Sequence, residues 1–303
     1  MFRIYFKDRC MYTEYLINGT GHLMMTRRTG MKDMIRLVAV DMDGTLLKTD
    51  KSIHPDTVRD IKEAERHGVI AAFCTGRAVP ELKGFLDTLS MIRYGVCLAG
   101  ALIYDFYEKR ALHKRVLGSL CVQSILRAAE KEDAMVHFLT ETDSFVRADQ
   151  INRLSEYNMA SYQRLYQETA LPVSDLNSEM QKRRDVLKAN VHFHSTEDRQ
   201  ECLDALSALP LSFICSEAST LEITAKGVSK ASGLSMLGLC LGIPLKSVMA
   251  IGDGNNDLSM LRSVGTAIAM GNAGPELKAV CDYVTDDNDN NGVGKAIRRF
   301  CCP

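Results

Sequence analysis

The stretch Leu-Val-Ala-Val-Asp-Met-Asp-Gly-Thr at 37–45 decides the fold and contains the first candidate site. Four apolar residues followed by an acid are typical of a strand buried on both faces, as in a parallel sheet. Residues two apart in an extended chain point the same way, so Asp41 and Asp43 can face one region. Gly44 lets the backbone turn sharply beside a ligand. One carboxylate of such a pair can act as a nucleophile while the other moves a proton.

Strands and helices alternate on the C-terminal side of this stretch, and the alternation returns late in the chain. The predicted elements are a helix at 55–68, strands at 69–74 and 96–98, a helix at 230–241 and a strand at 248–251. This alternation predicts an α/β protein with a doubly wound parallel sheet.

The rhythm changes between residues 102 and 222, where short alternating strands are separated by polar helices. We therefore predict a core formed by 35–101 and 223–303 with an inserted α+β domain at 102–222. Residues 1–34 show neither helical nor strand periodicity and lack the features of a signal peptide. We expect them to be a poorly ordered N-terminal extension.

Composition excludes several classes of protein. The formal net charge of −1 gives no broad attraction to nucleic acid or to an anionic membrane. No apolar run is long enough to cross a bilayer. The cysteines from Cys10 to Cys281 are scattered singly, several inside apolar runs, and no Cys-x-x-Cys pair occurs. We therefore expect buried, reduced thiols and a cytoplasmic location.

Three predicted strands end at polar residues, Asp41, Thr75 and Asp253. Ligands of open α/β sheets bind beyond the carboxyl ends of the strands, so these ends predict one site. The Thr75 hydroxyl and the Gly76 amide can hold phosphate oxygens. Together with Asp43, the two strand-end acids supply the oxygen ligands that Mg²⁺ prefers.

Two further residues complete the candidate site. Lys230, at the start of the predicted helix, offers an ammonium that neutralises charge during phosphoryl transfer. Asp257 stands where a helix begins and can hold the metal ligands in place from behind. The segment 252–257 resembles a dinucleotide-binding Gly-x-Gly-x-x-Gly, but the acid at its sixth position argues against a pyrophosphate site.

Four segments occur in one order: Asp-Met-Asp-Gly-Thr at 41–45, Thr-Gly-Arg at 75–77, Lys230, and Gly-Asp-Gly-Asn-Asn-Asp at 252–257. In this order they resemble the motifs of the haloacid dehalogenase (HAD) superfamily. The insert, Ile-Thr-Ala-Lys-Gly-Val-Ser-Lys and Ala-Met-Gly-Asn-Ala-Gly-Pro-Glu-Leu-Lys are similar to the Cof-type (subclass IIB) phosphatases. The resemblance implies a Rossmann-like core, a cap at 102–222 and a Mg²⁺-dependent phosphatase for a small phosphorylated metabolite such as a sugar phosphate.

The resemblance also implies a role for each motif residue. Asp41 would be the nucleophile and a Mg²⁺ ligand. Asp43 would be the general acid and base and would touch Mg²⁺ through its carbonyl. The phosphate-binding groups would be the Met42 backbone amide, Thr75, Gly76, Lys230 and Asn256. Asp253 would be the remaining protein ligand of the metal, supported by Asp257.

One position departs from the family, because Ala99 stands where an Asn is usual. This places the alignment of the cap or of the substrate in question, but not the core chemistry. A phosphotransferase or phosphomutase of the same superfamily is an alternative function, and a non-catalytic regulator that binds a phosphorylated metabolite is a second. The sequence names neither the substrate nor the oligomeric state.

Two other patterns look like metal sites and are rejected. His192 and His194 share one face of a predicted strand, but no further zinc ligand has the required spacing, so we interpret them as residues of a cap strand. The segment 287–292 copies the first half of a calcium loop, but Arg298 stands where a bidentate Glu is required.

Overall fold

The computed structural model describes residues 34–302 with their side chains and, before them, the backbone of three strands. The strands and helices, in chain order, are β1 (Arg3–Asp8), β2 (Met11–Ile17), β3 (Leu23–Thr29), β4 (Leu37–Val40), α1 (Pro55–Arg66), β5 (Ile70–Cys74), α2 (Lys83–Thr88), β6 (Tyr94–Cys97), β7 (Leu102–Asp105), β8 (Arg110–Lys114), α3 (Ser119–Lys131), β9 (Met135–Leu139), β10 (Ser144–Arg147), α4 (Gln163–Thr169), β11 (Leu171–Val173), α5 (Leu176–Lys182), β12 (Lys188–His192), α6 (Thr196–Leu206), β13 (Leu211–Ser216), β14 (Thr220–Ala225), α7 (Lys230–Leu241), β15 (Val248–Gly252), α8 (Leu258–Leu261), β16 (Thr266–Ala269), α9 (Pro275–Lys278), β17 (Tyr283–Val284) and α10 (Gly292–Cys301).

An eight-stranded sheet forms the core, in the order β17-β16-β15-β4-β5-β6-β7-β8. The strands from β17 to β6 run parallel, and β7 and β8 are antiparallel to their neighbours. The predicted α/β class with a parallel sheet is confirmed.

Strand β4 lies inside this sheet, and its alternate side chains pack into different layers. Val38 and Val40 belong to an apolar cluster that includes residues of α1 and α10. Leu37 and Ala39 belong to a second cluster, which includes residues of α7. Burying a Val or Leu side chain contributes about 1.5–3 kcal/mol. The strand is therefore held from both faces, and Asp41 emerges at its carboxyl end.

Local signals set the ends of the two helices beside the site. Pro55 occupies the first turn of α1, as its fixed φ favours. The chain leaves this helix through Gly68, whose φ is +80°. Ser229 and Ser232 form a capping box before α7, which ends at the left-handed Gly242. These caps fix Lys230 in the first turn of α7.

A second sheet, in the order β11-β10-β9-β12-β14-β13, forms the cap. Ala189 and Val191 of β12 pack with residues of α3, α5 and α6 on one face of this sheet. Because side chains alternate along a strand, Lys188, Asn190 and His192 point to the opposite face. These three residues line a cavity together with residues of the core.

The structure differs from the predicted domain boundaries at both ends of the insert. The predicted cap begins at residue 102, but β7 and β8 pair with the core sheet, so the chain leaves that sheet only after Lys114. The predicted cap ends at residue 222, whereas β14 continues to Ala225. Short alternating strands look alike in either sheet, which is why periodicity misplaced the hairpin.

Two other expectations meet different outcomes. Strands β1 to β3 form a separate antiparallel sheet within 1–34, which the sequence pattern did not reveal. The remaining residues before 34 lie outside the described residues, so the order of the extension stays a prediction. Of the nine free cysteines within 34–302, five are buried and Cys281 and Cys302 are partly buried. Cys215 and Cys240 are exposed, so the expectation of burial is wrong for these two. In the described part of the chain no helix has the length and apolar character to span a membrane.

Candidate active site

The carboxyl ends of β4, β5 and β15 meet at one edge of the core sheet, as the sequence predicts. The Asp41 amide donates to the carbonyl of Ile251 at 3.0 Å, which joins the end of β4 to β15. Carboxylate oxygens of Asp41 and Asp253 lie within 4.8 Å of each other. Asp41 and Thr75 line the same cavity.

Lys230 connects the acids of this edge. Its Nζ donates to Asp41 Oδ1 at 2.5 Å and to Asp257 Oδ1 at 2.6 Å. Lys230 is only 1% exposed. Burial alone would lower the pKa of this ammonium, but the charges of Asp257 and Asp41 outweigh burial and raise it. Burial, followed by the charge of Asp257, raises the pKa of Asp41 to about 7.

Three carboxylates, of Asp41, Asp253 and Asp257, offer oxygens within 4.8 Å of one another. Both carboxylate oxygens of Asp257 already accept hydrogen bonds, Oδ1 from Lys230 and Oδ2 from the backbone amides of Asp253 and Gly254. Asp257 therefore holds the segment that carries Asp253. A divalent cation suits the other two acids, since the single Lys230 does not balance three carboxylates.

The backbone around these acids also fits a bound cation. Gly44 has a φ of +80°, and a Cβ at this position would lie 2.4 Å from Asp253 Oδ2. Thr45 Oγ1 donates to Asp253 Oδ1 at 2.7 Å, and Asn272 Nδ2 donates to Oδ2 at 3.3 Å. The loop after β4 thus forms a close cradle around the Asp253 carboxylate.

Asp43 is held by two cations. Arg77 donates to it with Nε at 2.7 Å and with Nη2 at 2.8 Å, and Lys51 Nζ donates at 2.9 Å. Burial alone would raise the pKa of Asp43, but the hydrogen bonds and charge of Arg77, joined by Lys51, lower it to about 2. Asp43 is therefore an ionised carboxylate at neutral pH in this arrangement.

The loop after β5 is held by hydrogen bonds on both sides of Thr75. The Thr75 carbonyl accepts from the Ala99 amide at 2.9 Å. Thr75 Oγ1 accepts from the Arg77 amide at 3.1 Å, which leaves the hydroxyl hydrogen to be donated elsewhere. Ala99 has a φ of 55°, in the left-handed region where Asn is better tolerated than Ala.

The remaining predicted residues take different positions. Met42 is fully buried and its side chain belongs to the core, so the role predicted for its backbone amide stays a prediction. Gly76 and Asn256 line the cavity with Asp41 and Thr75.

The cavity between the cap and the core has a volume of about 240 Å³. Its core wall carries Asp41, Asp43 and Arg77. Its cap wall is formed by residues that the sequence analysis did not single out for this site, namely Tyr162, Tyr166, Lys188, Asn190, Ser216, Glu217, Thr220 and Glu222, together with His192.

A model of the haloacid dehalogenase-like hydrolase family matches residues 38–297. This span contains all four motifs, together with the cap sheet and nearly all of the core sheet. The chain belongs to the haloacid dehalogenase-like hydrolases. The predicted family is confirmed.

Relatives of this hydrolase place it among the phosphatases of the family. It is 27% identical over 268 residues to the 5-amino-6-(5-phospho-D-ribitylamino)uracil phosphatase of Bacillus subtilis (strain 168), covering 88% of this chain and 96% of that protein. It is 32% identical over 252 residues to the HMP-PP phosphatase of Enterobacter sp. (strain 638), covering 83% and 89%. The solved structure of BT4131, a sugar phosphatase of HAD subclass IIB, superposes with a TM-score of 0.74 at 25% identity, covering 88% of this chain and 98% of that one.

Signals for two of the missed groups were present in the sequence of this hydrolase. Arg77 belongs to the Thr-Gly-Arg motif, but no role was assigned to it. Polar residues at 188, 190 and 192 alternate with apolar ones at 189 and 191, which is typical of a strand with one face toward a site.

The two rejected metal patterns have other partners in the hydrolase. His192 forms hydrogen bonds through Nε2 with Tyr166 Oη at 2.7 Å and through Nδ1 with Thr220 Oγ1 at 2.8 Å. Burial lowers its pKa to about 3. His194 contacts the Glu156 carbonyl at 2.8 Å. In the calcium-like segment, Asp289 accepts from Thr49 at 2.7 Å. These hydrogen bonds are contacts within the fold.

Proposed function

We propose that this hydrolase is a Mg²⁺-dependent phosphatase that hydrolyses small phosphomonoesters through an aspartyl-phosphate on Asp41. The observation that carries the proposal is the placement of a buried Asp41, bonded to Lys230 at 2.5 Å, in a cavity lined by both the core and the cap. A nucleophilic carboxylate next to a fixed ammonium is suited to attack on phosphorus.

In the first half of the reaction, an Asp41 carboxylate oxygen bonds to phosphorus and the bond from phosphorus to the leaving oxygen breaks. Asp43 gives that oxygen its proton. The Thr75 hydroxyl, the amides of Met42 and Gly76, the Asn256 side chain and Lys230 hold the phosphate oxygens. Mg²⁺, held by Asp41, Asp253 and the Asp43 carbonyl, would supply positive charge that keeps Asp41 ionised and offsets the charge of the phosphate.

In the second half, water attacks the aspartyl-phosphate, its proton passes to Asp43, and inorganic phosphate leaves with Asp41 restored. Asp43 takes part only after Arg77 withdraws, since a carboxyl group with a pKa of about 2 neither donates a proton nor accepts one well at neutral pH. We therefore include exchange of the Asp43–Arg77 contact for the substrate as a step of the cycle.

The size and lining of the cavity support a small phosphorylated metabolite as the substrate. The volume of about 240 Å³ lies just below the range of about 300–1,000 Å³ that is usual for small-molecule sites. The named substrates of the two relatives, a phosphoribitylamino-uracil and HMP-PP, are small phosphorylated compounds. The cap would enclose the leaving group and exclude bulk water.

Hydrolysis of p-nitrophenyl phosphate near neutral pH tests the proposal. Turnover should require Mg²⁺, stop with EDTA and be abolished in Asp41→Asn. Asp87→Asn, in an exposed residue of α2, is the matched control and should keep wild-type turnover. Acid quenching during turnover should leave phosphate on the peptide that contains Asp41, detectable by mass spectrometry.

Retained activity in Asp41→Asn would refute the nucleophile. A labelled Asp41 that passes its phosphate to a sugar hydroxyl faster than to water would identify a phosphotransferase instead. Binding of phosphorylated metabolites by folded, Mg²⁺-loaded protein without turnover of any of them would identify a regulator.

A further inference from the structure

Lys188 reaches from the cap into the loop that follows β5. It lies on β12 and is only 2% exposed. Its Nζ donates to the Gly76 carbonyl at 3.1 Å and forms an ion pair with Glu222 Oε2 at 2.5 Å. Glu222 lies on β14, the neighbouring strand of the cap sheet. A buried lysine that bonds across the cavity is a specific contact between the cap and the core.

The Gly76 carbonyl belongs to a peptide unit that is held at both ends. Because the peptide is planar, the Gly76 C=O and the Arg77 N–H move together. Lys188 bonds to the carbonyl, while the Arg77 amide donates to Thr75 Oγ1 at 3.1 Å. By holding the Gly76 carbonyl, Lys188 therefore also sets the direction from which the Arg77 amide donates to Thr75 Oγ1.

Gly76 lies beside the ion pair of the cap. A Cβ at this position would lie 3.4 Å from Lys188 Nζ and 3.7 Å from Glu222 Oε2. The φ of Gly76 is not in the left-handed region, so backbone conformation alone does not require glycine there. A Cβ at Gly76 would therefore make ordinary van der Waals contact with the Lys188–Glu222 ion pair, so this contact does not by itself require glycine.

We infer that Lys188 is a positioning residue, which orients the Gly76–Arg77 peptide and, through it, the Thr75 hydroxyl when the cap lies against the core. Glu222 balances the charge of Lys188 and holds its side chain toward Gly76. The cap then contributes to the geometry of phosphate binding as well as enclosing the substrate. The role rests on the proposed phosphatase function.

A simpler account is that Lys188 only neutralises Glu222 inside the cap. Breaking a buried ion pair by removing one partner is destabilising by several kcal/mol in itself. The charge of Lys188 does lower the pKa of Glu222 against the opposite effect of burial, as this account requires. The contact with Gly76 distinguishes the two accounts, because neutralisation of Glu222 does not involve it.

The experiment compares p-nitrophenyl phosphate kinetics of the wild type, Lys188→Met and the double variant Lys188→Met/Glu222→Gln. The double variant removes both charges of this ion pair, so it keeps the test available if the single variant folds poorly. Lys114→Met is the matched control, since Lys114 pairs with Glu141 of the cap at 3.0 Å but is about half exposed and lies outside the cavity.

Mispositioning of a phosphate-binding group should lower kcat and kcat/KM equally, by roughly 10–100-fold, in both the single and the double variant. Lys114→Met should keep the wild-type kcat. Recovery of the wild-type kcat in the double variant would overturn the inference, because neutralisation of Glu222 would then be the whole role. An active wild type with unaffected Lys188 variants would overturn the role of Lys188 and leave the phosphatase proposal intact.

Discussion

Replacing Gly44 by alanine should separate the effect of backbone strain from damage to the proposed metal site. Gly44 has a φ of +80°, and so does Gly68 at the end of α1. An alanine in this conformation costs roughly 1–2 kcal/mol at either position. A Cβ at Gly68 meets nothing within 4 Å, whereas a Cβ at Gly44 would lie 2.4 Å from Asp253 Oδ2. Gly68→Ala therefore measures the strain alone.

The clash at Gly44 must move the Asp253 carboxylate, which Thr45 and Asn272 hold by hydrogen bonds. Loss of a hydrogen bond to a charged group costs about 1.5–3 kcal/mol. We expect Gly44→Ala to be destabilised by that amount beyond Gly68→Ala. Displacing Asp253, a Mg²⁺ ligand in the proposed function, should also raise the Mg²⁺ concentration at half-saturation by roughly 10–100-fold.

Urea unfolding at equilibrium measures the stabilities, and a Mg²⁺ titration of p-nitrophenyl phosphate hydrolysis measures the half-saturation. Gly68→Ala should keep the wild-type Mg²⁺ dependence. The reasoning is refuted if Gly44→Ala loses no more stability than Gly68→Ala and is half-saturated at the wild-type Mg²⁺ concentration.

Two further predictions concern stability. The pKa of His192 is about 3 in the folded protein and about 6.5 in the unfolded chain. Below pH 6.5 the unfolded chain therefore binds a proton that the folded imidazole does not, so the free energy of unfolding decreases as the pH is lowered. His192→Gln should reduce the loss of unfolding free energy between pH 7 and pH 5 by about 2 kcal/mol, as measured by urea unfolding. The control His67→Gln, at an exposed residue, should not change this loss. An equal loss in the wild type and both variants would contradict the prediction. Ala99→Asn should gain up to about 1 kcal/mol, since Asn tolerates the φ of 55° better. A urea midpoint below that of the wild type would show that the amide does not fit.

The elements that carry the motifs could be predicted because their signals are local. Four buried apolar residues predicted β4, and the spacing of Leu234, Leu237 and Leu241 before Gly242 predicted α7 over the observed range. The polar residues at three strand ends then predicted the site, since parallel strands bring their carboxyl ends to one edge.

Contacts between distant segments could not be predicted in this way. The hairpin β7–β8 alternates like a cap strand, and only its pairing with β6 assigns it to the core sheet. Lys188 and Gly76 are 112 residues apart, and periodicity does not state which face of the cap meets the core. The pairing of Asp43 with Arg77 likewise depends on where two loops meet.

The acids of the site differ in how their charge is balanced, which is a property that no motif states. Asp43 has two cations of its own, and its pKa is lowered. Asp41, Asp253 and Asp257 share Lys230, and burial together with their mutual charge raises the pKa of both Asp41 and Asp253. The raised pKa values place the excess negative charge on Asp41 and Asp253, although Asp41 accepts from Lys230 and Asp253 accepts from Thr45 and Asn272. A divalent cation bound by these two carboxylates would neutralise that excess, and a dianionic phosphate would approach Asp41 most readily after it had been neutralised. Charge balance thus provides an argument for a bound divalent cation that is independent of the motifs.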